Sequence, residues 1–343
     1  MNKMKQVKTI ESDIDFVVLW VDCNDNEWQK ERKIYSNIYN KECDNSIVRY
    51  QDWDNFKYWF RCIEKNAPWV RKIHLVTNGQ VPKWINTSCT KLNIVKHSDY
   101  MPIDALPTFN SNAIEIGIHK INGLASKFVY FNDDMFVTSP VNEKYFFKKN
   151  IPVDMEGFIR TPIKEKENMF SALLTNNAEI ITKNFSKKEV VYKKIKNWFR
   201  PWYGKTFIRS LRYAFNKTFP GFVIPHLSVA YLKKDFEKVW LKEEEELIKT
   251  QHNKFRCSTD ITHFLIRNWR MCEGNFIPKK SIGKYFSIDT EKSAREVAFA
   301  IKTNKFPEIC LNEQCSGKKF ESIKEIVNTA FEEKYPEKSI FEK

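Results

Sequence analysis

Glycine is scarce, with nine in 343 residues, so no Gly-rich flexible linker divides the chain. Long apolar runs are missing as well. The first, Phe16 to Val21, is far too short for a signal-peptide core or a membrane span, and no other run reaches the length needed. The eight cysteines form no CxxC pair and no Cys/His metal spacing. Cys310 and Cys315 are the nearest pair, while Cys23, Cys62 and Cys89 are scattered, so reduced and mostly buried thiols are expected. There is no internal repeat and no low-complexity tract. These absences point to a cytosolic or peripherally membrane-bound protein.

What is present is a core and an excess of positive charge. The apolar fraction of 42% and aromatic fraction of 15% suit a globular protein of one large or two modest domains. The net charge of +14 implies an anionic partner: nucleic acid, a phospholipid surface or a phosphorylated substrate. Much of it sits between Lys183 and Lys217, where Glu189 is the only acid. Trp198, Phe199, Trp202, Tyr203, Phe207, Tyr213 and Phe215 interleave with those cations. The mixture suits an anionic membrane face or a groove for a phosphate-bearing glycan. The plainer alternative is a helical insertion with a solvated cationic face. No recognised nucleic-acid motif accompanies the charge, so no nucleic acid is expected.

The chain centres on Lys127-Phe128-Val129-Tyr130-Phe131-Asn132-Asp133-Asp134-Met135-Phe136-Val137. A short apolar run of this kind reads as a strand buried on both faces. Adjacent carboxylates at its end are costly unless a cation meets them. In open α/β sheets ligands bind at the carboxyl ends of strands, and Mg²⁺ takes one or two carboxylates plus substrate phosphates. The bland alternative is a solvated Asx turn.

The same reasoning orders the rest. Asp13 to Val21 is a first strand ending in the polar turn Asp22-Cys23-Asn24-Asp25-Asn26. Helices are expected over 28–39 and 54–66, the second with Phe56, Trp59, Phe60 and Ile63 on one face. Strands follow at 70–78 and 92–96. Thr108 or Asn110 caps a helix expected to continue through Ile118, His119 and Ile121 to Gly123. Further helices are expected over 233–248, 259–269 and 320–334. This alternation predicts an α/β fold with a mostly parallel central sheet. Residues 1–150 form its nucleotide-binding part, 151–220 a basic, largely helical insertion, and 221–343 the part that completes the same catalytic domain.

Several segments together resemble the Stealth family. These are bacterial capsule and cell-surface polysaccharide phosphotransferases, related to the animal enzyme that places N-acetylglucosamine-1-phosphate on lysosomal glycoproteins. The first block resembles Ile14 to Asp22 with Asp25. The second runs from Arg61 through Asn66-Ala67-Pro68-Trp69-Val70, Thr77-Asn78-Gly79 and Leu106-Pro107-Thr108-Phe109-Asn110-Ser111 to Phe131-Asn132-Asp133-Asp134. Pro225-His226, Phe255-Arg256 with Asp260, Ile309 to Asn312 and Tyr335 to Glu342 resemble the later blocks. Two departures bear on the donor more than on the reaction. Cys23 stands where the family usually has Gly, and Asn55-Phe56 stands where it usually has Glu-Leu.

The resemblance implies a GT-A-like nucleotide-sugar-binding core. It implies transfer of a sugar-1-phosphate, N-acetylglucosamine-1-phosphate in the first instance, from a UDP-sugar to a hydroxyl of a polysaccharide or oligosaccharide acceptor, with UMP leaving. The cell-membrane inner face is the implied place. Asp133 and Asp134 are the expected ligands of Mg²⁺ or Mn²⁺, and Asp22 contacts nucleotide or metal. His226 is the expected base for the acceptor hydroxyl, with Asp133 or Asp22 as the alternative. Arg256 clamps a donor phosphate, or forms a surface salt bridge. Trp20, Asp22, Asp25, Arg61, Asn78, Asn110, Ser111 and His119 are the expected donor contacts, with a core histidine the readier reading of His119, a helix-surface ion pair the alternative for Arg61, and helix capping the alternative for Asn110 and Ser111. An ordinary metal-dependent glycosyltransferase releasing UDP and a non-enzymatic basic binding protein are the competing readings.

Overall fold

The computed structural model describes residues 13–38, 43–44, 52–160 and 169–343. In chain order the first half comprises β1 (Ile14–Leu19), α1 (Asn26–Ile38), β2 (Cys43–Asp44), α2 (Phe56–Asn66), β3 (Ile73–Thr77) and β4 (Leu92–Lys96). Then come α3 (Ser111–Glu115), β5 (Lys127–Phe131), β6 (Met135–Val137), β7 (Phe147–Lys148) and β8 (Ile151–Asp154). The basic region supplies α4 (Met169–Asn184), α5 (Lys187–Lys193), α6 (Ile195–Trp198) and α7 (Lys205–Tyr213). The remainder is β9 (Val229–Leu232), α8 (Lys233–His252), β10 (Arg256–Cys257), α9 (Phe264–Cys272) and β11 (Ile277–Pro278). It closes with β12 (Lys284–Ile288), α10 (Glu291–Lys302), β13 (Glu308–Glu313) and α11 (Lys318–Lys334).

The central sheet has the order β4-β3-β1-β5-β9. Its first four strands are parallel, and β9 runs antiparallel to β5. Every residue of β3 and β5 is buried. The pleat divides these residues between two cores, because successive side chains point to opposite faces. Phe16, Val18, Val129 and Phe131 pack with Trp59 and Phe60 of α2. Val17, Phe128 and Tyr130 pack with Phe236, Val239 and Trp240 of α8 and with Leu265 and Ile266 of α9. Both faces are covered, which is why the strands read as continuous apolar runs.

A second sheet, β12-β13-β6, grows directly out of the first. Chain leaving β5 turns at Asn132, whose carbonyl accepts from Met135 N at 3.2 Å, and re-enters as β6. Met135 and Phe136 then pair antiparallel with Cys310 and Ile309 of β13. Leu311 N donates to Asp134 O at 2.9 Å. Asp133 and Asp134 therefore occupy the seam between two sheets.

Two expected helices come out differently, each for a local reason. The helix expected to run to Ile121 stops as α3 at Glu115. Tyr100 OH and Trp240 Nε1 donate to the carbonyls of Ile114 and Ile116, at 3.2 and 2.8 Å, which a continuing helix would use. The helix expected from Thr259 begins at Phe264. Asp260 holds the preceding turn open, accepting from Asn110, Asn112, Asn253 and Cys257 N. The expectation of reduced thiols is also corrected: Cys257 is disulfide-bonded, and its register partner in the β2–β10 ladder is Cys43. Cys23, Cys62, Cys89, Cys272, Cys310 and Cys315 are free, as expected.

Candidate functional site

The site is built where strands β1 and β5 end. Asp22 follows β1 and is fixed by a reciprocal pair with Gln80, beyond β3. Asp22 N donates to Gln80 Oε1 at 2.8 Å, and Gln80 Nε2 donates to Asp22 O at 3.0 Å. Asp133 lies open to solvent yet is crowded by protein and by other acids at longer range. Burial of its surroundings, then Asp134, Glu313 and Asp52, push its carboxyl up to about 8. Burial pushes Asp134 up to about 7, with Glu313 adding and the Cys310 thiol opposing. Cys310 Sγ donates to Asp134 Oδ2 at 3.4 Å, whereas Asp134 Oδ1 is buried without a hydrogen-bond partner. Trp53 Nε1 donates to Glu313 Oε2 at 3.0 Å, tying that acid to the rim.

An orphaned carboxylate oxygen inside a cluster of like charges is costly as it stands. Its donor chemistry suits a hard divalent cation, which prefers oxygen ligands. No group of three metal-ligating side chains converges among the described residues. The arrangement thus fits a cation that takes two carboxylates here and completes its shell from substrate phosphate.

A second cluster faces these acids across Tyr130. Arg256 Nη2 donates to Ser111 Oγ at 2.5 Å, at the start of α3. Glu115, at the end of α3, is buried with Arg256, Tyr130 and Ser111 about it. Burial pushes its carboxyl up to about 7 against the lowering by Arg256, Tyr130 and Ser111. The Tyr130 hydroxyl donates to Asn132 Oδ1 at 2.7 Å and feels Glu115, Arg256 and Asp133 together. His263 Nε2 stands 3.7 Å from Glu115 Oε2, and its Nδ1 lies 2.7 Å from the Tyr231 hydroxyl. Burial, then Arg267 and His226, push that imidazole down to about 3, so it is neutral.

His226 completes the ring. Its backbone is left-handed, with φ of 48°, a conformation that side-chain-bearing residues rarely adopt outside turns and functional sites. Its imidazole lies between Phe170 and Tyr285, each centroid 5.2 Å away, and burial lowers its pKa below the ordinary value. Asn312 donates to the Tyr285 hydroxyl, and Asp134 and Glu313 act electrostatically on Tyr285. His226 thus reaches the acid cluster through one aromatic ring.

The expected site residues divide accordingly. Asp133 and Asp134 adjoin, Asp22 and Asp133 both act on Cys23 between the strand ends, Arg256 holds Ser111, and His226 meets the acids through Tyr285. Trp20 stacks flat on Phe56 at 5.9 Å beside the end of β1, and Asn78 is exposed beyond β3. Asp25 serves as a cap, with Oδ1 accepting from Trp28 N at 2.8 Å. For three expected donor contacts the structure takes the structural alternative. Arg61 is committed to the carboxyl-terminal segment, where it donates to Glu342, Tyr335 O and Pro336 O. His119 is a core residue stacked on Phe236 and pushed down to about 3 by burial, then by Lys120 and Lys233. Asn110 is buried, its Nδ2 donating to Asp260 and to two carbonyls and its Oδ1 capping α3.

Glu115, Glu313, Asp52 and Tyr130 escaped the sequence reading. Glu313 had a usable signal: Ile309-Cys310-Leu311-Asn312-Glu313 is an apolar run ending in an amide and an acid, like Phe131-Asn132-Asp133.

Residues 49–154 match the family model for Stealth protein CR2, conserved region 2. The chain is 40% identical over 332 residues to the capsular polysaccharide phosphotransferase WcwK of Streptococcus pneumoniae, covering 96% of this chain and 98% of that one. The chain belongs to the Stealth family. It is 38% identical to the exopolysaccharide phosphotransferase cps2G of Lactiplantibacillus plantarum, covering 96% of both chains. It is 34% identical to the receptor polysaccharide phosphotransferase WefC of Streptococcus oralis, covering 96% of this chain and 99% of that one. The Stealth region matched by the model carries Asp52, Ser111, Glu115, Asp133 and Asp134. Asp22, His226 and Arg256 lie outside it, and the fold brings them to the same strand ends. Among the described residues no helix is long and apolar enough to cross a membrane.

Proposed function

We propose that this Stealth protein transfers a sugar-1-phosphate from a nucleotide sugar, a UDP-sugar such as UDP-N-acetylglucosamine, to a glycan hydroxyl during surface-polysaccharide assembly. The observation that carries the reading is that the Tyr130 hydroxyl feels both the Arg256 guanidinium and Asp133, one member of an under-neutralised acid pair. Phosphoryl-type transfer needs cationic groups on both sides of a diphosphate, and the two clusters together provide for them. The parallel sheet with acids at the ends of β1 and β5 is compatible with a GT-A-like nucleotide-sugar core.

Asp133 and Asp134 would hold Mg²⁺ or Mn²⁺, which supplies charge neutralisation to the donor diphosphate. Arg256, oriented by Ser111 and Glu115, binds the oxygens of the transferred phosphate. Asp22 holds the nucleotide side of the donor. His226, neutral because burial lowers its pKa, accepts the proton of the acceptor hydroxyl. The hydroxyl oxygen forms a bond to the phosphorus nearest the sugar, and the bond to the leaving UMP oxygen breaks. The product is a phosphodiester.

The test is product analysis with UDP-N-acetylglucosamine, Mg²⁺ and a panel of glycan acceptors. UMP release with a new phosphodiester is expected. UDP release would replace the reading with that of a glycosyltransferase.

A further inference from the structure

Helix α7 has three faces. Ser210 is its buried position, and it donates nothing outward: its Oγ accepts from Phe158 N at 2.9 Å. Gly157 lies against the same face so closely that a Cβ there would meet Thr206 Cγ2 at 2.4 Å. That face anchors the helix. A second face carries Ile208 and Leu211, spaced three apart, and Phe215 continues the spacing past the helix end. They are exposed to 69%, 44% and 94%. A third, adjoining stripe carries Lys205, Arg209 and Arg212, also at helical spacing and all exposed. Trp202, just before the helix, is 52% exposed beneath the Arg200 guanidinium.

We propose that this face of α7, with Trp202 and Phe215 at its two ends, docks onto the surface of an anionic phospholipid membrane. An apolar stripe beside a cationic stripe on one short helix is the pattern of segments that lie in the interface plane. The charge is unopposed, since no acidic residue occurs between Glu189 and Asp235. The aliphatic character of Ile208 and Leu211 favours acyl chains over a glycan, which offers hydroxyls and phosphates to bind. Docking there also has a place in the fold. The anchor segment Gly157–Ile159 pairs with 221–223 through Val223 N to Gly157 O and Ile159 N to Gly221 O, at 2.9 and 3.1 Å. His226 follows Val223 by three residues, so the strand pair that anchors α7 through Phe158 leads directly to that histidine.

The experiment is vesicle co-sedimentation of the full chain on phosphatidylcholine vesicles, with and without phosphatidylglycerol, at low and high salt. Binding is expected only to the anionic vesicles and is weakened by salt. Ile208→Asp with Phe215→Asp should weaken it by about ten-fold or more. Arg209→Ser with Arg212→Ser should weaken it by about five-fold per cation and reduce the preference for anionic lipid. Both variants change exposed positions, so unchanged far-ultraviolet circular dichroism and melting are expected. Absence of vesicle binding would overturn the proposal, as would equal binding by wild type and variants. A wild-type dimer that Ile208→Asp with Phe215→Asp makes monomeric would assign the face to a second copy instead. Capture of an anionic glycan in place of vesicles would assign it to the acceptor.

Discussion

Arg61 and Glu342 form a closed fork across 281 residues of sequence, with Nε and Nη2 each donating to one carboxylate oxygen at 2.9 Å. Both side chains are buried, so the pair secures the end of the chain against α2 and does not face the cleft.

Arg61→Leu is therefore expected to act on stability. Removing one partner of a buried pair costs about 3–5 kcal/mol. Donor KM should stay at its wild-type value in the folded fraction, and urea unfolding beside initial-rate kinetics separates the two effects. Burial raises the Glu342 carboxyl, but Arg61 and Ser339 outweigh it and hold the pKa below the usual value. This stability is present at neutral pH and is lost as pH falls through the lowered pKa.

The acid pair has the opposite sign. Asp133 and Asp134 are pushed up from 3.8 to about 8 and about 7, so the folded state holds their protons more tightly than the unfolded chain does. Without divalent cation, stability is expected to decline as pH rises from about 4 towards about 8. Melting in EDTA should show a shallower decline for Asp133→Asn. The same substitution should lower transfer by about 100-fold or more.

His226→Asn tests the strained histidine. Asn tolerates the left-handed backbone, so the fold should persist with little change in melting. Loss of the proton acceptor should reduce kcat by about 100-fold or more. A variant with near-normal kcat would move the base to another group.

Glu115 should appear in the pH profile. Its carboxyl, pushed up to about 7, ionises as pH rises, and only the ionised form pairs with Arg256. Transfer is expected to rise through pH 7 in wild type. Glu115→Gln should be slower and should lack that inflection, measured as kcat/KM against pH.

The sheet and its acids were legible because β1, β3 and β5 are buried on both faces and read as apolar runs ending in polar turns. The run ending in Asp133-Asp134 shows this plainly. Glu115 was not legible, because a carboxylate on a five-residue helix normally reads as solvated, and only Arg256, 141 positions away by the numbering, gives it a role. Arg61 misled for the same reason in reverse, since its partner lies at the far end of the chain. His119 reads from its place before β5 either as a substrate contact or as a core histidine. Packing against Phe236 and Trp240 of a helix much later in sequence made it core.

Asp133 and Asp134 sit on a seam, and a seam is only as stiff as the packing on either side. One side is braced by Phe136 of β6 against Phe331 of α11, with ring centroids 4.6 Å apart. Phe331 in turn stacks on Tyr58 of α2 at 5.5 Å. The strand that leaves the two carboxylates is thus braced by a helix from the far end of the sequence. Warming that loosens α11 should silence the enzyme before the central sheet opens, making inactivation a local event and melting a later, global one.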